Sequence, residues 1–151
     1  MSSAGGQEQQ AGITLEEALR QLELLEAQIK QLQAAASDVE ARIAQLTAVE
    51  DALSDIRSGS DDVLFPLDPA ATVVVRGAVR PLDTVIVHVG LNIFVEMKYD
   101  KAVEFVREEK AGLSKLLDAY SREIARLTQY YNALRSAIEQ AIAGAAARQQ
   151  Q

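Results

Sequence analysis

Cysteine is missing from all 151 residues, which excludes a disulfide framework and a thiolate metal site and fits a reducing compartment. Histidine occurs once. His88 stands in a β-type stretch with no Asp, Glu or His around it at ligand spacing, so it reads as a strand residue and not as a metal ligand. Positive charge is also short, with 15 Lys and Arg against 22 Asp and Glu and a net charge of −7. Arg20, Lys30, Arg42, Arg57, Arg122, Arg126 and Arg135 are scattered among acids, the pattern of a solvated helix surface, and that argues against a grip on a nucleic-acid backbone. The longest apolar stretch, Val85 to Val95, is broken by His88, Gly90 and Asn92 and is far too short to cross a bilayer. The opening MSSAGGQEQQ has neither a basic start nor an apolar core, so no secretory signal is expected and a cytoplasmic location is.

Catalytic signals are lacking too. No nucleophile is matched to a base, and the paired acids Glu16-Glu17, Asp61-Asp62 and Glu108-Glu109 are immediate neighbours, which on a helix point in different directions. Gly5-Gly6, Gly59, Gly77 and Gly90 form neither a phosphate loop nor a dinucleotide fingerprint. The expectation is a non-enzymatic protein with no cofactor and no metal.

What is present is a pair of heptad seams. Leu15, Ala18, Leu22, Leu25, Ile29, Leu32, Ala36, Val39, Ile43 and Leu46 follow one another at alternating steps of three and four. Val103, Val106, Lys110, Leu113, Leu117, Tyr120, Ile124, Leu127, Tyr131, Leu134 and Ile138 do the same. A seam this narrow suits one partner helix, so the two runs predict a long antiparallel two-helix coiled coil over 13–57 and 100–142. Thr14 and Glu17 form a capping-box pattern at its start. Glu50 and Lys110 occupy seam positions near the middle segment and are expected to pair, fixing alignment at some cost in stability. Val49, Leu53 and Ile56 predict a local stammer after Leu46. Residues 1–12 are expected to be a disordered tail and 143–151 a frayed one.

Between the runs the composition turns β-branched, predicting strands at 63–67, 72–79, 84–89 and 93–98 within a module of residues 61–98. Arg80-Pro81-Leu82-Asp83 is expected to be a proline turn and Gly90-Leu91-Asn92 a short hairpin loop. The fold class is α+β, a coiled coil joined by two β-hairpins. Val85, Val87, Ile93 and Val95 point one way while Ile86 and Phe94 point the other, so one covered face cannot hide them. With Val73 and Val75 they make the module an oligomerisation element, since two hairpins alone are marginal in water. At the other end Ile13, Leu15, Leu19, Leu22, Ile138 and Ile142 either finish the seam or form an apolar interaction surface.

The order of helix, two hairpins and helix, with the stretches VLFPLDPAATVVVRGAV and DTVIVHVGLNIFVEM, resembles the alpha class of archaeal-type prefoldin over about residues 14–142. A P-L pair ahead of Gly77 and a V-x-V-G segment leading to Phe94-Val95-Glu96 carry the likeness; Asn92 departs from the glycine often found there. The resemblance implies a hexamer of two alpha and four beta subunits whose hairpins build an oligomeric β-barrel platform. It also implies ATP-independent capture of non-native polypeptides at the coiled-coil tips and their delivery to a group II chaperonin. A non-catalytic adaptor that oligomerises through its β module and binds one folded partner is the competing reading.

Overall fold

The computed structural model describes residues 12–150, so the tail expected at the amino terminus lies, apart from Gly12, outside the described residues. The element order is α1 (Leu15–Ile56), β1 (Ser60–Pro66), β2 (Val74–Val79), β3 (Thr84–Gly90), β4 (Ile93–Lys98) and α2 (Tyr99–Gln149). The chain divides into two compact units, Met1–Ala36 with Tyr120–Gln151, and Ser37–Ala119.

In the first unit α1 opens on a reciprocal cap. The Glu17 amide donates to Thr14 Oγ1 at 3.2 Å, and the Thr14 amide donates to Glu17 Oε2 at 3.1 Å, which satisfies two amides with no partner inside the helix. Ala18, Leu25, Ala36, Leu127 and Ile138 are buried, all on the heptad positions. The helices run antiparallel: Gln28, Leu32 and Ala35 line one groove with Leu127, Glu123 and Tyr120. The carboxyl end differs from expectation. Residues 143–149 continue α2 to Gln149, because a run of alanines has the highest helix propensity and outweighs the cost of about 1 kcal/mol at Gly144.

In the second unit Leu46 and Val106 of the seam are buried, with Ala102 buried on its flank. Glu50 sits in the seam, donated to by Arg107 Nε at 2.7 Å and Lys110 Nζ at 3.0 Å. Lys110 was the expected partner; Arg107 is an added one. Because two cations reach this carboxylate, the seam can carry it, and the stammer expected at Val49 is absent. Val49 is exposed while Glu50 and Leu53 are half-buried, so the three-and-four rhythm holds from Leu46 to Leu53 and shortens only at Ile56.

The strands pair as two separate antiparallel hairpins, β1 with β2 and β3 with β4. β1 begins at Ser60, earlier than expected, through an irregularity between Ser60 and Val63 where Asp62 is held by Arg76 at 3.0 Å. β2 begins late, at Val74, because the Asp68 carboxylate takes the amides of Ala70, Thr72 and Val73 and the Thr72 hydroxyl, keeping those residues in the loop. Val73, counted above as a strand residue, is therefore a loop residue whose carbonyl accepts from the Leu67 amide.

The expected proline turn at residues 80–83 is instead an irregular link with a bend at Asp83. Leu82 N–H donates to the Arg57 carbonyl, and Tyr99 N–H donates to the Asp83 carbonyl, both near 3 Å. The link thus satisfies an orphan carbonyl at the end of α1 and an orphan amide at the start of α2, which a tight turn could not do. Gly59 makes this possible: it lies at φ 84, and a Cβ there would come within 2.8 Å of the Val79 oxygen. Arg57 closes the junction, its guanidinium 4.6 Å from the Tyr99 ring centre and 3.4 Å from Asp100.

Two outcomes test this account. Hydrogen bonds from Arg107 and then Lys110 hold the Glu50 carboxyl below its ordinary value of 4.5, so its contribution is complete above that pH and lost as the pH falls through the lowered value. Glu50→Gln should melt below the wild type at neutral pH, and the gap should close as the pH drops under 4.5. A gap that persists unchanged into strong acid would show that the charge is not its source. Thr14→Ala should cost about 1 kcal/mol in denaturant unfolding and speed amide exchange in the first turn of α1.

Candidate interaction surfaces

Every buried apolar residue among those described lies on a helix: Ala18, Leu25, Ala36, Leu46, Ala102, Val106, Leu127 and Ile138. The hairpins have no core of their own. Val85, Val87 and Met97 on one face of β3–β4 are half-buried, with Met97 beside Phe105 of α2. The opposite face is open, with Ile86 at 73% and Phe94 at 64% exposure and the His88 ring against Phe94 at 4.9 Å between centres. In β1–β2 and its loop Leu64, Phe65, Leu67, Val73, Val74 and Val75 are all exposed.

The residues assigned to oligomerisation are thus all on or beside the two hairpins. Val73, Val75, Ile93, Phe94 and Val95 are exposed, and Val85 and Val87 are partly covered. Sequence reasoning missed Leu64, Phe65, Leu67 and Leu91. Phe65 had a legible signal, since its register places it diagonally across from Gly77, and a Cβ on that glycine would come within 2.7 Å of the Phe65 ring. The aromatic ring covers the bare backbone of the facing strand.

Where α1 begins and α2 finishes, the assigned residues separate. Ile13, Leu15, Leu19 and Ile142 are exposed, Leu22 is half-buried, and Ile138 is only 7% exposed. Ile138 therefore belongs to the packed seam and not to an apolar rim: its heptad position turns it onto α1. Leu24, off the heptad register and so passed over, is as open as Ile13 at 60%.

His88 is exposed on its strand, and among the described residues no group of three His, Cys, Asp or Glu is arranged to hold a metal ion. No helix among them is long and apolar enough to cross a membrane.

Comparison with known proteins agrees with this architecture. The family model described as "Prefoldin subunit" matches residues 15–144. A prefoldin subunit alpha from Hyperthermus butylicus is 59% identical over 145 residues, covering 96% of this chain and 93% of the relative. Its counterpart from Aeropyrum pernix is 25% identical, covering 89% of each chain. Among solved structures, filamentous PFD from Methanocaldococcus jannaschii superposes with a TM-score of 0.66 at 28% identity, covering 80% of this chain and 98% of that one. With the helices, both hairpins and their order all spanned by these matches, this chain belongs to the prefoldin family of molecular chaperones.

Proposed function

We propose that this chain is the alpha-type subunit of an ATP-independent holding chaperone that captures non-native polypeptides and passes them to a group II chaperonin. In this reading its hairpins join those of four beta-type subunits and a second alpha-type subunit in a double β-barrel platform, in the cytoplasm. The observation that carries it is the separation of two kinds of apolar surface. Strand residues such as Ile86, Phe94 and Leu64 are dense and attached to open sheet edges, which suits permanent cover by neighbouring strands. Ile13, Leu15, Leu19 and Ile142 are few and sit at helix ends.

Each apolar side chain at a helix end contributes about 1.5–3 kcal/mol when fully buried against a client, so one arm binds weakly. Several arms acting on the same unfolded chain raise the effective affinity without demanding a fixed sequence, and release stays easy. Nothing in this cycle needs a bond to be made or broken, so no catalytic group, nucleotide or metal has a part in it.

Removing residues 1–22 and 138–151 should leave assembly with a beta-type subunit intact, by sizing, and abolish suppression of aggregation for several unrelated unfolding proteins, by light scattering. Loss of assembly in that truncated chain would place the subunit contacts at the helix ends. A full-length complex indifferent to every unfolding protein offered would favour the adaptor reading.

A further inference from the structure

The chain has a single Asp-Pro bond, Asp68–Pro69, and it stands in the loop between β1 and β2. Such a bond is the peptide link most easily broken by acid and heat. The aspartyl side chain can close a small ring on its own carbonyl carbon. The prolyl nitrogen is a basic leaving group, and with no N–H it cannot take the competing route to a cyclic imide. In the reaction one side-chain oxygen bonds to the Asp68 carbonyl carbon, and the C–N bond to Pro69 breaks with its electron pair going to nitrogen, which takes up a proton. One water then opens the cyclic anhydride to two carboxyl groups.

In the folded chain that side chain is fully engaged elsewhere. Asp68 Oδ1 accepts the amides of Thr72 at 2.9 Å and Val73 at 3.3 Å, while Oδ2 accepts the Ala70 amide at 3.1 Å and the Thr72 hydroxyl at 3.0 Å. A carboxylate has about four lone-pair sites, so these bonds take up its accepting capacity. A turn built on aspartate needs only the bond to the amide two residues on, and the rest exceed what bending the chain requires. The carbonyl, by contrast, is primed for attack: its oxygen accepts the Ala71 amide at 3.0 Å, which draws electron density from the carbon. Pro69 is exposed, so water reaches the bond. Desolvation pushes the Asp68 carboxyl up, but the bonds from Val73, Thr72 and Ala70 outweigh it and hold the group below its ordinary value of 3.8, without a proton to give the departing nitrogen.

We infer that Asp68–Pro69 is a latent site of backbone hydrolysis, kept closed by the hydrogen-bond cage that the β1–β2 loop builds around the Asp68 side chain. Opened, the site would leave fragments 1–68 and 69–151 with β1 and β2 on different pieces, and the hairpin would lose the short connection that keeps its strands together. Thr72 is the residue on which the shielding turns. It supplies two of the bonds, and its hydroxyl can be removed without altering the backbone.

Mass spectrometry of the full chain, held in mild acid at a temperature where circular dichroism shows the helices intact, tests this. The folded wild type should release the two fragments at least about tenfold more slowly than the same chain unfolded in guanidinium at the same pH and temperature. Folded Thr72→Val should be cut about tenfold faster than the folded wild type, with helix content and melting temperature unchanged, and Thr72→Ser, which keeps a hydroxyl, should match the wild type. In guanidinium all three should be cut at one rate, which removes any effect of local sequence. Asp68→Ser has no carboxyl to attack with and should give neither fragment, folded or unfolded. A folded wild type cut as fast as the unfolded chain, an unfolded chain not cut between residues 68 and 69, or a folded Thr72→Val cut no faster than the wild type would each overturn the inference. The first two outcomes are read on the wild type alone and do not depend on any variant folding.

Discussion

A heptad seam gives each helix one narrow stripe to bury. In this chain that stripe and its immediate flank take up every buried apolar side chain among the described residues. The helices are consequently satisfied largely by each other, and the sheets gain from them only partial cover, as where Met97 lies beside Phe105 of α2. Two separate two-stranded hairpins are then left with open edges and with apolar residues on both faces, a state that is marginal in water. Assembly with other prefoldin subunits is how this family meets that constraint. The deficit in the β segment and the self-sufficiency of the coil are one fact seen from two sides.

The junction between coil and sheets has to hold its geometry without a globular core behind it. Polar interactions do that work here. Residues 80–83 supply an amide to the end of α1 and a carbonyl to the start of α2, while Arg57 bridges Tyr99 and Asp100. Two turns of α1 earlier, Glu50 with Arg107 and Lys110 forms a charged crossing of the seam that works in a single register. Replacing those groups with leucines would bury more apolar area and remove the means of alignment, so the cluster is better understood as a specifier of register than as a source of stability. Gly59 belongs to the same device, since only glycine fits both the left-handed backbone and the closeness of Val79.

Much of this was legible in the residue pattern. The seams, the capping box at Thr14, the Glu50–Lys110 pair and the presence of two hairpins follow from periodicity and charge, which are local and strong. The failures have a common physical source in hydrogen bonds whose partners are distant in sequence or compete with the strand ladder. Pro81 suggested a turn because its neighbours were read alone; the amide of Leu82 is taken by Arg57, on another element. Val73 read as a strand residue because it is β-branched, yet Asp68 claims its amide first. The stammer was expected from the spacing of Val49, Leu53 and Ile56; Val49 is exposed, and Glu50, held by Arg107 as well as by the expected Lys110, keeps the seam position instead. Ile138 shows the opposite limit: its heptad position predicted burial, and grouping it with the helix-end residues set aside a rule that already held.

On the proposed function, the distribution of exposed side chains lets one chain carry a lasting contact and a transient one without confusing them. Along the hairpins the apolar residues come with strand edges, so a partner gains backbone hydrogen bonds and side-chain burial together and the pairing is directional. At the helix ends no strand edge is open to pairing, and Ile13, Leu15, Leu19 and Ile142 offer exposed side chains. A contact made only of side chains has no register to satisfy, accepts many sequences and dissociates readily. On that proposal, selectivity for assembly and tolerance toward clients come from whether the backbone takes part, with no chemical difference required between the apolar residues at the two places.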